Sequence, residues 1–111
     1  MMNKLELLAA LAPEIKAVEV KALGATLRFK VLTGRARDTL YSNAVANADT
    51  SHYEASLVAA SVVDAAGLPL FSPEDVETLR DSNSTLLTEL AGAAMAVNKL
   101  GPDAEAAAVK N

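Results

Sequence analysis

Near the middle of this 111-residue chain, the stretch Ala66-Gly67-Leu68-Pro69-Leu70-Phe71-Ser72-Pro73-Glu74-Asp75-Val76 leaves the backbone few choices. Upstream of it Leu57, Val58, Ser61/Val62 and Ala65 recur at helical spacing, and Gly67 follows where a helix end needs a residue that tolerates positive φ. A helix is therefore expected to stop at about Ala66. Ser72 is a good N-cap, Pro73 fits the first helical position because its missing N–H would have no partner there, and Asp75 has capping-box spacing. Phe71 and Val76 flank this cap as a hydrophobic staple does. Leu68, Leu70 and Phe71 are too apolar for a solvated loop, so the linker is expected to close one end of the core.

The remaining elements follow in chain order. Residues 3–12 are strong helix formers, with Leu5, Leu8 and Ala12 on one face and Leu7 and Leu11 on a neighbouring one; Pro13 ends them. So short a helix is unstable alone and is expected to dock on its own core. Val18, Val20 and Ala22, then Leu27, Phe29 and Val31, alternate with charged residues around Gly24-Ala25, which predicts a β-hairpin with a type II′ turn and an open edge. Thr33 is the expected cap of a helix running to about Ala48 with Leu40, Tyr41, Ala44 and Val45 as apolar positions. Ser51 and Glu54 have capping-box spacing for the next helix, which carries Tyr53, Leu57 and Val58. The last helix, from about Ser84 to Leu100, presents Leu86, Leu87, Leu90, Ala94 and Val97, and Gly101-Pro102 is expected to end it.

The fold class expected is thus mainly α with an N-terminal β-hairpin (α+β), a small helical domain of about four to five helices. Residues 1–101 form one domain, made of an N-terminal helix (1–15), the hairpin (16–32) and a helical body (33–101), with 102–111 a flexible tail. Hydrophobic residues make up 51% of the chain, but 23 of those positions are Ala and there are only two Phe, two Tyr and no Trp, so the core must be thin. Marginal stability follows, which association would raise.

Little here suggests chemistry. Without Cys there is neither a disulfide framework nor a thiolate metal site, and the single His52 cannot make a typical transition-metal site. Glu74, Asp75, Glu77 and Asp81 cluster as paired carboxylates would, but acids in the first turn of a helix suit its dipole. No P-loop or Ser-His-Asp arrangement is assignable. No apolar run approaches ~20 residues and the N-terminus does not read as a signal peptide, so a cytoplasmic protein is expected. Neither a catalytic residue nor a cofactor is assigned.

Charge, by contrast, is segregated. Residues 16–37 hold Lys16, Lys21, Arg28, Lys30, Arg35 and Arg37 against Glu19, net +5, whereas 38–111 hold three basic and eleven acidic residues, net −8. Such polarity suits head-to-tail self-association. Nucleic-acid binding is disfavoured by the absence of exposed aromatics and of a known motif, and by a pI near 4.9.

A helix ending in a Gly turn, a Leu-Phe pair, Ser72-Pro73-Glu74-Asp75, a short helix with Leu79, a Ser/Asn break and a last helix ending Val97-Asn98-Lys99-Leu100-Gly101 resemble the tail assembly chaperones of long-tailed bacteriophages. The similarity spans roughly residues 18–101 and rests on caps and apolar spacing. It implies a non-enzymatic chaperone of the host cytoplasm that escorts the tape-measure protein until tail-tube subunits displace it, and that is absent from the mature virion. The alternatives are a small helical nucleic-acid-binding or regulatory protein and a tail-completion structural protein. Leu87, Leu90 and Met95, off or at the rim of the main apolar stripe, are the candidate client contacts in a groove between the last helix and the 57–65 helix. Arg28 and Lys30 are candidates on the basic hairpin; Gly67, Phe71, Ser72, Pro73, Asp75, Val76 and Gly101 are structural. The resemblance further implies a longer frameshifted form, for which one codon choice at Val109-Lys110-Asn111 supplies a slippery A-AAA-AAC run.

Overall fold

The computed structural model describes residues 1–100, and in it the alternating segment forms two antiparallel strands, β1 (Ile15–Val20) and β2 (Ala25–Lys30). Register pairs Val18 with Leu27 and Lys16 with Phe29, so Val18, Val20, Leu27 and Phe29 share the face turned to the core, with Val20 and Phe29 buried. The connection is not a two-residue type II′ turn. Lys21–Leu23 make one 3-10 turn and Gly24 closes it at φ 63°, its N–H donating to the Lys21 carbonyl at 3.1 Å. Ala25, expected in the turn, is instead the first strand residue and pairs with Val20.

Thr33 Oγ1 accepts the Ala36 N–H at 3.0 Å and starts α2 (Gly34–Ala46). Leu40 is buried, but Tyr41 and Val45 are exposed, Val45 at 88%. The helix leans on the body mainly through α3 (Thr50–Ser61), so only one stripe is covered. The N-cap of α3 is Asp49, not Ser51, which lies within the first turn with its hydroxyl accepting from Arg80 Nε at 3.0 Å.

The largest departure from the sequence reading lies at the end of α3. It stops at Ser61 rather than Ala66, and Val62–Val63 become β3, pairing Val62 with Phe29 and Val63 with Arg28 to give the order β1-β2-β3. Adjacent β-branched residues favour extended backbone, and β2 offers them an edge to pair with. Gly67 has positive φ (84°) in the turn after β3, not at a helix end. There Asp64 Oδ1 accepts from the N–H groups of Ala66 and Leu68 at 2.8 and 3.0 Å, and Asp64 N–H donates to the Leu68 carbonyl.

Leu68 and Leu70 stay exposed and only Phe71 of the linker turns onto the core, so the linker closes less of it than expected. Asp75 Oδ2 accepts from Ser72 N–H at 2.8 Å and from its hydroxyl at 3.2 Å across a 3-10 turn, Pro73–Asp75, that leads into α4 (Val76–Arg80). The last helix, α5 (Ser84–Asn98), is capped by Asn83, whose Oδ1 accepts from Leu86 N–H. It ends before Gly101, with Lys99 at φ 55° and Leu100 N–H donating to the Met95 carbonyl at 2.8 Å. Asn98 ties that end to the strand side, accepting from Leu32 N–H at 2.7 Å and donating to the Ala94 carbonyl at 2.9 Å. Gly101 and the tail expected over 102–111 lie outside the described residues.

A short helix, α1 (Lys4–Ala10), precedes the sheet, capped by Asn3 through the Glu6 N–H. None of its residues is buried and Leu5 is 78% exposed, so the expected docking on the core does not occur. Among the described residues the chain has five helices and a three-stranded antiparallel sheet, mainly α in an α+β arrangement. The core gathers Phe29, Leu57, Val58, Val62 and Leu87 where α3 and α5 meet the sheet. No helix of the described residues is long and apolar enough to cross a membrane.

Candidate partner-binding surface

The groove expected between α3 and α5 is closed. Ala55, Leu57 and Val58 of α3 and Leu87, Ala91 and Ala94 of α5 are all buried in one cluster, which alanines make possible by letting the two backbones approach. Leu87 is thus a core residue, 3% exposed, and has no surface to offer a client. Leu90 and Met95 are half-buried against the same cluster.

An open groove lies on the other side of α3. Its floor is Ser56, Ala59 and Ala60; Ala36, Thr39, Leu40 and Asn43 of α2 form one wall, and Pro69, Phe71, Pro73 and Val76 the other. It holds about 290 Å3. The spacing i, i+3, i+4, i+7 on α2 brings one stripe of that helix to the groove. Sequence reasoning missed it because these α2 positions are Ala, Thr, Leu and Asn, which carry little apolar signal, and because the linker wall depends on the β3 turn.

The hairpin candidates lie on the sheet face away from the core. Arg28 Nη1 donates to the Ala65 carbonyl at 3.3 Å, anchoring the 64–68 turn, and Lys30 is half-buried beside it on β2. Ile15 Cδ1 lies 3.0 Å from where a Cβ on Gly67 would stand, so that face is also partly covered. Of the clustered carboxylates, Asp75 caps Ser72, and Glu77 pairs with Arg80 at 3.2 Å, while Arg80 also reaches Asp49 at 3.1 Å. These contacts staple α4 to the start of α3. His52 Nδ1 and Ser61 Oγ are buried without a hydrogen-bond partner. Tyr53 has its pKa raised from the usual 10.0, first by burial and then by the neighbouring Tyr41.

The elements make a small α+β domain in which a helical body is closed at one side by a short antiparallel sheet and an apolar groove stays open beside α3. The solved structure of the bacteriophage HK97 tail assembly chaperone has this fold: the two superpose with a TM-score of 0.61 over 86% of this chain and 95% of that one, at 19% identity. By sequence the chain matches no protein-family profile and no curated protein.

Proposed function

We propose that this chain is a non-enzymatic tail assembly chaperone that binds the tape-measure protein of a bacteriophage or prophage in the host cytoplasm and is absent from the mature virion. The observation that carries the reading is the shared fold with the HK97 chaperone along nearly the whole of both chains. The exposed leucines of α1 and the open groove beside α3 support it physically, because a protein that must hold a long helical client reversibly needs apolar surface at its exterior. Tail-tube subunits are the partners that displace it, and its charge segregation favours self-association along the client. Co-expression tests the reading. The tape-measure protein from the same genome should be soluble with this chain and aggregate without it, and purified virions should contain no trace of the chain. A client equally insoluble in both cases removes the proposal.

A further inference from the structure

We infer that the groove beside α3 takes its occupant as an extended strand, added to the free edge of residues 69–71 with apolar side chains at alternate positions in the gap. The occupant is a segment of the client chain that has not yet formed helix, and in that the inference rests on the chaperone reading. The sheet does not end at β3. Val63 bridges Pro69 in antiparallel fashion, Asp64 N–H donates to the Leu68 carbonyl at 2.8 Å, and Leu70 N–H donates to the Val62 carbonyl at 3.2 Å. Residues 68–70 thus run along the outer edge of β3. Successive residues of a strand turn their main-chain groups to opposite edges, so Pro69 and Phe71 turn theirs away from β3. The Pro69 carbonyl and the Phe71 N–H and carbonyl have no hydrogen-bond partner among the described residues. The same two residues line the groove.

Those three groups select the occupant's backbone. A helix has its own N–H and C=O groups bonded internally, so one laid along this wall would strip water from the three and return nothing. An extended chain pairs all of them. Run antiparallel, one of its residues exchanges both bonds with Phe71, and the residue two further on donates its N–H to the Pro69 carbonyl. The ladder stops there, because Pro69 has no N–H and the chain beyond Phe71 enters the Pro73–Asp75 3-10 turn. Register follows from the ladder. Residues directly opposite share a face, so the side chains opposite Phe71 and Pro69 enter the groove. The one between them points out beside Leu70, which is 52% exposed and does not line the groove. The small floor residues Ser56, Ala59 and Ala60 leave about 290 Å3 for the two that enter. Main-chain bonds supply the affinity and these two positions the selectivity, a short ladder that a client can leave again.

The experiment uses the full chain and a fluorescein-labelled peptide, Gly-Lys-Val-Thr-Val-Lys-Gly, too short to hold a helix. Wild type should bind it. N-methylation of either valine removes a donor that faces the edge and should weaken binding about tenfold or more. N-methylation of the threonine, whose N–H faces away from the edge, should weaken it less. Thr39→Phe and Ala60→Phe, both at exposed positions, fill the gap from α2 and from α3. Each of these variants that melts like wild type should also lose about tenfold or more, whereas Leu70→Ser should lose nothing. A side-chain-stapled helical peptide with the same valines on one face should not compete. The inference is overturned if wild type does not bind the peptide, if both N-methylvaline forms bind as well as the parent, or if the stapled helix competes. Should wild type give any of these results and still keep the tape-measure protein soluble on co-expression, the chaperone reading stands without this site. If it binds the peptides in the expected order but never solubilises the client, the chaperone reading falls and the strand-accepting edge remains.

Discussion

Helix α3 has two sides built from the same kinds of residue and put to opposite use. Towards α5, Ala55 and Val58 meet Ala91, Ala94 and Leu87, and every one of these side chains is buried. Towards α2, Ala59 and Ala60 face Ala36, Thr39 and Asn43 across a gap of about 290 Å3. Alanine permits close packing only where the facing helix also presents small residues and is held in position. On the first side α5 is held by Leu87 and Val97 in the core and by the Asn98 bond to Leu32. On the second, Leu40 is the α2 residue that reaches the core, and Phe71 and Val76 line the far wall of the gap. The closed side therefore sets stability, and the open side leaves an apolar groove at the surface.

The largest break in this contrast should come from the core. Leu57→Ala removes a fully buried side chain and should cost about 2–5 kcal/mol, enough to unfold much of so small a domain, as a denaturant titration will show. Overpacking the closed side is next: Ala94→Leu has no space to enter and should cost about 1–3 kcal/mol in the same titration. A melt unchanged by Ala94→Leu would mean that α3 and α5 are not packed as described.

Arg80→Ala loosens the staple between α4 and the start of α3 and should cost about 1 kcal/mol, less at high salt, since Asp49 and Glu77 are mostly exposed. A loss independent of salt would assign the effect to the buried part of the Arg80 stem. Tyr53 sharpens the contrast through pH. Its hydroxyl stays protonated to higher pH when folded than when unfolded, so its contribution is fully present below about pH 10 and is lost as pH rises through the raised folded value. Alkaline melts should fall more steeply for wild type than for Tyr53→Phe. The smallest effect belongs to the open side. Ala60→Leu should change stability by no more than about 0.5 kcal/mol, although it is the same substitution as Ala94→Leu.

Several elements were legible in the sequence because their causes are local. The alternation of Val18, Val20, Leu27 and Phe29 gives a hairpin with its apolar face inward whatever surrounds it, and Thr33 has only its own helix end to cap. The same locality explains why Gly67 could be expected at positive φ while the element around it was not: a left-handed residue suits a helix end and a tight turn equally. Val62 and Val63 continue a helical pattern of apolar residues and also make a good strand. Only the free edge of β2, 33 positions or more earlier in the chain, decides between them, by pairing Val62 with Phe29.

The candidate site was less legible for the same reason. Leu87 has the side chain of a contact residue, and whether it meets a client or the core depends on where α5 lies against α3. Asn98 gives no sign in the sequence that it holds that helix end, since its partner is a backbone N–H at Leu32. What the sequence by itself determined is the set of helix formers, the caps, the two-residue period of the hairpin and the thinness of an alanine core, all properties of neighbours along the chain. What the tertiary structure decided is which side of α3 closes, that α1 keeps its leucines exposed, and where the groove opens, because apolar side chains bury against whichever surface is nearest in space, and that distance is not written in their spacing.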